Sequence, residues 1–360
     1  MDDAKKAVVL VNLGSPRSAK VADVRAYLKE FLNDASVIDL PSWFRYLLVY
    51  GIIAPFRAPR SAKLYEKLQT ERGFPLIYHS MDLEKKLRAQ LPSGFDLFLA
   101  MRYGEPSLTK LLRQIKDGRY SEILILPLYP QYASSTTGSV SNLLLKELKG
   151  NALLARTSMV PHFHSEVDFI HLWQKKISSF KPRNYDAIVF SYHGIPVRQT
   201  QTAHPEQSCE MLHCEENYTL LNEYCYRAAC YQTTRSISRG LDVEADKIVT
   251  SFQSRFGRNW LDPFTDKILL NLVKEGNKKV LIVSPSFVAD CLETSVEIGH
   301  EYAELFKEAG GELLTLVPSL NSEAEWVTFL ARMAKDTHEG SIRLENLPPV
   351  AGFHDSMVSS

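Results

Sequence analysis

Three sets of residues in this 360-residue chain are typed and spaced for chemistry. His193 closes the apolar run 186–194 (DAIVFSYHG) and precedes Gly194, whose missing side chain lets backbone or ligand approach closely. An imidazole at such a position can move protons or ligate a metal, although many strand-end histidines are hydrogen-bonded parts of the fold. Glu293 and Glu297 stand at i and i+4 near the start of a helical pattern, which puts both carboxylates on one helix face. The plainer account is an acidic first turn favoured by the helix dipole. Of five cysteines, four crowd together as Cys209, Cys214, Cys225 and Cys230, spaced C-x4-C-x10-C-x4-C. Without an export signal disulfides are disfavoured, so the thiols suit a metal. A two-iron, two-sulfur (2Fe-2S) cluster is the first reading, with zinc or free thiols as alternatives.

These residues need elements to hold them. Short apolar, β-branched runs recur at 7–14, 95–104, 122–130, 186–194, 246–254 and 279–287, each read as a strand buried on both faces. Helical patterns at 81–91, 108–118 and 293–310 lie between them. Alternation of strand and helix implies a doubly wound α/β plan with parallel sheets flanked by helices. The runs fall into two sets, which predicts two similar Rossmann-like domains, 1–160 and 161–320, the second with a cysteine-rich insertion near 205–232. A C-terminal helix and a polar, mobile tail are expected over 321–360.

In open α/β sheets ligands bind beyond the carboxyl ends of the strands. The strand ends here supply Asn12 to Ser15, Arg102 and Tyr103, Tyr129 to Tyr132 running into the loop 134–139, Ser191 to Gly194, Phe252 to Arg255, and Ser284 to Phe287. No G-x-G-x-x-G or G-x-x-x-x-G-K-[ST] spacing is present, which argues against a nucleotide-phosphate cradle. The hydroxyl-rich loop 134–139 reads as an anion site or, more plainly, a strand-to-helix cap.

Lys plus Arg equals Asp plus Glu at 42 each, leaving no charge excess to engage a nucleic acid. The N-terminal apolar run is too short for a signal sequence, so a cytoplasmic location is expected. Segment 43–56 is apolar but interrupted by Arg45, Gly51 and Pro55, and falls short of the roughly 20 residues that span a bilayer. It reads as an amphipathic lip touching a membrane or a greasy ligand, or as a buried core helix. A peripheral position at the inner face of a membrane is compatible with the first reading.

Five strings, in order, resemble the signatures of ferrochelatases: VNLGSP (11–16), YPQYASSTTGS (129–139), SYHGIP (191–196), FQSRFGRNWLDP (252–263) and FVADCLET (287–294). The resemblance implies a porphyrin cleft between two Rossmann-like domains. It also implies insertion of Fe(II) into protoporphyrin IX, or alternatively coproporphyrin, to make haem with release of two protons. His193 and Glu293 then contact the iron and the pyrrole nitrogens, with Glu297 continuing an acidic line. Leu13, Tyr129, Trp260 and Phe287 become apolar walls beside Tyr103, and Arg102 and Ser134 hold propionates. Some bacterial relatives carry a four-cysteine cluster in an internal insertion, which assigns Cys209, Cys214, Cys225 and Cys230 to it. Cys291 stands where some relatives have His, and Leu13 where some have Met. Monomer and homodimer are both compatible with the sequence. A non-catalytic tetrapyrrole carrier is the rival reading; a cobalt or nickel chelatase is the rival within the enzyme class.

Overall fold

The structure, a computed structural model, describes residues 5–116, 120–204, 206–255, 257, 259–336 and 341–343. The chain divides into two compact units, Met1–His162 with Ser322–Ser360, and Phe163–Asn321. In the first, β1 (Lys6–Asn12), β2 (Phe95–Met101), β3 (Glu122–Pro127) and β4 (Thr157–Met159) form a parallel sheet in the order β2-β1-β3-β4. In the second, β5 (Ala187–His193), β6 (Ile248–Gln253), β7 (Lys279–Val283) and β8 (Leu313–Leu316) are parallel in the order β6-β5-β7-β8. The two sheets therefore share one strand order, and in each the order reverses beside the first strand. Such a reversal opens a crevice at the carboxyl ends of the strands.

Burial explains why the strands read as continuous apolar runs rather than alternations. Helices cover the sheets, so Val8 to Val11 of β1 and Ile188 to Phe190 of β5 are all buried. The helix Leu108–Ile115 shows how sequence becomes packing: Ser107 caps it by accepting a hydrogen bond from the Lys110 N–H, and Leu108, Leu112 and Ile115 recur on the buried face. They meet Val9, Val11 and Ile125 in the core of the first unit.

The helix Ala324–Lys335 forms where expected but groups with the first unit, packing on Pro75–Arg88. A two-residue strand, β9 (Ile342–Arg343), then pairs antiparallel with β4. Of the expected tail, 344–360 lies outside the described residues.

Segment 43–56 is not a buried core helix. It runs through the helix Ser42–Leu47, a π-helical stretch Leu48–Ile53 and the start of Ala54–Leu68. Val49, Ala54, Ala58 and Ala62 face inward, while Trp43, Phe44, Tyr46, Leu47, Ile52 and Phe56 are exposed, Phe56 by 78%. Among the described residues no helix is long and apolar enough to cross a membrane.

Candidate active site and metal centre

The strand register of the second unit assembles a site from chain segments far apart in sequence. His193 ends β5 opposite Gln253, the last residue of β6. The Gly194 N–H donates to the Gln253 carbonyl at 2.8 Å, and a Cβ on Gly194 would lie 2.7 Å from that same oxygen. Only glycine fits there. The buried Gln253 amide oxygen accepts from Ser191 Oγ at 2.7 Å, and its nitrogen donates to the Glu293 carbonyl at 3.4 Å. One side chain thus ties β5, β6 and the segment after β7 together.

That segment carries the two carboxylates, though not on an α-helix. Glu293 opens a π-helix, Glu293–Tyr302, which passes into an α-helix at Ala303. The wider turn keeps residues four and five apart along one side, so Glu293 and Glu297 still share a face, and π-helical turns concentrate at functional sites. Glu297 is held hard. It accepts from the Ser254 N–H at 2.9 Å, from Ser254 Oγ and from Tyr302 Oη at 2.9 Å. Ser254 reaches it with φ +61°, a left-handed conformation that costs a non-glycine residue roughly 1 kcal/mol or more. Burial nevertheless outweighs these bonds and, with the nearby Glu293 charge, pushes the Glu297 carboxyl up to about 7.

His193 is held differently. Its Nδ1 is buried and has no hydrogen-bond partner in the protein. Tyr226 Oη donates to its backbone carbonyl at 2.9 Å, and the Phe287 ring meets the imidazole edge-on with centroids 6.1 Å apart. Trp260, bridged to Pro196, lies against Gly194. Burial lowers the imidazole below its ordinary value and the Glu293 charge pulls it partly back. The result is a neutral imidazole with an uncommitted ring nitrogen, positioned through its backbone, beside an acidic pair.

In the first unit the strand ends form a second polar group. Arg102 donates through Nε to Ser139 Oγ at 2.7 Å and through one terminal nitrogen to Asp34 Oδ2. Tyr103 is fully buried, and its hydroxyl donates to the same Asp34 oxygen at 2.8 Å. Arg102 and Tyr103 are therefore committed to Asp34, leaving the other Arg102 terminal nitrogen without a bond. The loop 134–139 is a π-helical turn entering the helix Ser139–Leu148. Tyr129 Oη, Ser134 Oγ and Thr137 Oγ1 are buried without hydrogen-bond partners, an uncommon state for buried hydroxyls and one a polar ligand would relieve. Leu13 packs against this unit's core just before the turn at Gly14, whose φ of +104° and contact with the Tyr103 carbonyl admit no side chain.

The cysteines form a third group. Cys209, Cys214 and Cys225 come together with His204, their ligand atoms all within 4.8 Å of one another and all four residues buried. Cys209 Sγ lies 3.6 Å from Cys225 Sγ, well beyond disulfide bonding, and all five cysteines are free. Cys230 does not join the group. Cys225 caps the helix Tyr226–Ser238, and five residues along an α-helix carry a side chain about 140° around the axis. Cys230 is accordingly turned into the core near Tyr192 and Tyr226. The four donors suit a metal in charge, softness and number.

Sequence reasoning missed Tyr302, Tyr226, Asp34 and His204, and named Ser254 only as part of a strand end. Only His204 carried a readable signal, since it stands five residues before Cys209 at ligand-like spacing.

The ferrochelatase family profile matches residues 5–338. A ferrochelatase from Legionella pneumophila is 39% identical over 336 residues, covering 92% of this chain and 99% of that protein. One from Coxiella burnetii is 38% identical over 341 residues, covering 92% and 93%. Among solved structures, SirB from Bacillus subtilis with Fe3+ aligns at a TM-score of 0.49 and 10% identity, covering 92% of this chain and 95% of that one. CbiX, described as the terminal enzyme for biosynthesis of sirohaem in denitrifying bacteria, aligns at 0.47 and 11%, covering 92% and 98%. With a family match over nearly its whole length and relatives of this identity, the chain belongs to the ferrochelatases, the metal-insertion lyases of haem biosynthesis.

Proposed function

We propose that the chain inserts Fe(II) into protoporphyrin IX, with His193 taking the pyrrole protons and contacting the iron while Glu293 and Glu297 form an acidic line for iron or protons. The observation that carries this reading is the pairing at one sheet end of a neutral, uncommitted imidazole with a carboxyl titrating at about 7. Insertion exchanges two N–H bonds for bonds to iron and must release two protons. A base that is unprotonated at neutral pH can accept them, and a carboxyl half-ionised at pH 7 can pass them on. Carboxylate oxygens also suit a hard cation shedding water.

A flat porphyrin holds its lone pairs in the ring plane, so bending the macrocycle lowers the barrier by differential binding. Leu13, Tyr129, Trp260 and Phe287 are the proposed walls, backed by Tyr103, with Ser134 and the spare Arg102 nitrogen for propionates. The partnerless hydroxyls of Tyr129 and Ser134 support this assignment. The test is an anaerobic assay with protoporphyrin IX and Fe(II), following loss of free-porphyrin bands. Turnover that falls at least about a hundredfold in H193A and E293Q supports the assignment; normal turnover in either variant removes it. Coproporphyrin run in parallel identifies the preferred ring.

The buried thiols are proposed to hold a 2Fe-2S cluster. When bound, such a cluster offers a cross-link and a one-electron redox centre, and Fe(II) insertion needs no electron. Cys209, Cys214 and Cys225 would hold it. A single tetrahedral zinc is the second reading, favoured by three of the six donor pairs: zinc bonds of about 2.3 Å to sulfur and 2.0 Å to nitrogen span edges of roughly 3.5–3.8 Å, and these three distances are 3.6, 3.4 and 3.7 Å within a group spread over no more than 4.8 Å. Iron, sulfide and zinc analysis of the purified protein separates the two. The exposed apolar face of 43–56 supports peripheral membrane contact, tested by vesicle flotation of F56E against wild type.

A further inference from the structure

We infer that His204, and not Cys230, completes the ligand set of the buried metal centre, so that the centre is built from three thiolates and one imidazole. The inference rests on the group being a resident metal site and deepens that reading by naming its fourth ligand. The imidazole is oriented as a ligand must be. Its Nδ1 lies 3.0 Å from the Gln207 carbonyl, which can only accept, so Nδ1 carries the proton. Nε2 then presents a bare lone pair, and it is this atom that lies 3.4 Å from Cys209 Sγ and 3.7 Å from Cys214 Sγ. A ligating histidine whose other nitrogen donates to a backbone carbonyl is the arrangement that fixes tautomer and ring plane at metal sites.

The thiols show the same outer support. Thr200 Oγ1 lies 3.4 Å from Cys209 Sγ, and Asn222 Nδ2 donates to Cys214 Sγ at 3.5 Å. Asn222 is itself fixed, its oxygen accepting from the Thr219 N–H at 2.7 Å and its nitrogen donating to the Asn217 carbonyl at 3.0 Å. None of these contacts reaches Cys230. To bring its sulfur into the group, the helix Tyr226–Ser238 would have to rotate by more than a third of a turn and break the Tyr226 bond to His193. The four-cysteine spacing in the sequence is therefore a false guide to its last member.

The experiment compares purified wild type, C230A, H204A, H204C and C214A by metal and sulfide content per chain, visible spectrum and loss of metal to a chelator. Wild type and C230A are expected to hold equal metal, while C214A and H204A lose it at least about tenfold more readily. H204C, which restores a ligand, is expected to regain metal, which separates lost ligation from lost folding. If the metal is an iron–sulfur cluster, pulsed electron paramagnetic resonance of the reduced wild type shows a coupling to a histidine nitrogen that disappears in H204C. A C230A protein that empties while H204A retains its metal overturns the inference. Wild type purified without metal instead overturns the metal-centre reading beneath it, with no bearing on the chelatase assignment.

Discussion

Replacing Glu297 with glutamine removes a charge and keeps a shape, and the structure sets both the sign and the size of the effect. The carboxyl has an ordinary value of 4.5 and titrates at about 7 in the fold, chiefly because burial penalises the ion. Between those values the folded state binds a proton that the unfolded chain has released. Stability is therefore lost as pH rises through that window, and the full penalty is present above about pH 7. At 1.36 kcal/mol per pH unit the penalty is about 3 kcal/mol. Glutamine cannot ionise. Its oxygen can still accept from the Ser254 N–H and from Tyr302, and the Ser254 hydroxyl can turn to accept from its nitrogen. E297Q should match wild type near pH 5 and exceed it by about 3 kcal/mol at pH 8, measured by urea unfolding at both values. A variant equally stable at both, or weaker at pH 8, refutes the argument that burial governs this carboxyl. The same substitution should slow turnover, so stability and activity move in opposite directions, as expected where a site stores strain for function.

Further outcomes follow from the other groups. Because burial holds His193 below 6.5, the acid limb of the kcat/KM profile for iron insertion should lie below pH 6.5, and a limb centred above pH 7 would show that the base is another residue. D34A strips the carboxylate from Arg102, Tyr103 and Ser139 at a site where the Arg102 and Asp34 side chains are only 13% and 10% exposed. It should cost about 3–5 kcal/mol in unfolding free energy, with D34N recovering part; a loss below about 1 kcal/mol would count against a buried ion pair. Y226F leaves the His193 carbonyl without its donor, so kcat should fall while KM for the porphyrin holds, and an unchanged kcat would mean the imidazole is positioned by other contacts.

The parts of this molecule that were legible in its sequence are those governed by repeated local pattern. All six strand runs proposed from apolar, β-branched stretches appear as strands, because parallel strands buried on both faces must be continuously apolar. β4, β8 and β9, of three, four and two residues, are too short to display any period and were not proposed. The periodicity over 293–310 marked a helix but not its π-helical start. Hydrophobic spacing reports which face is buried, whereas the width of the turn depends on contacts such as those joining Ser254 and Tyr302 to Glu297.

The site divides along the same line. His193, Glu293 and Glu297 could be named because strand ends and helix starts are where α/β sheets carry chemistry, and the motifs around them are contiguous. Gln253 was readable as the end of a strand but not as the tie between three segments, and Tyr226, which holds the histidine from a helix 33 residues away, acts only through tertiary contact and leaves no local mark. The cysteines make the point most sharply. Spacing grouped four thiols, but spacing is blind to helix phase, and the phase of Tyr226–Ser238 turns Cys230 into the core. It also starts that helix immediately after Cys225, so that the thiol group and Tyr226, the residue anchoring His193, are neighbours along the chain. A metal bound by Cys225 would therefore stiffen the support of His193.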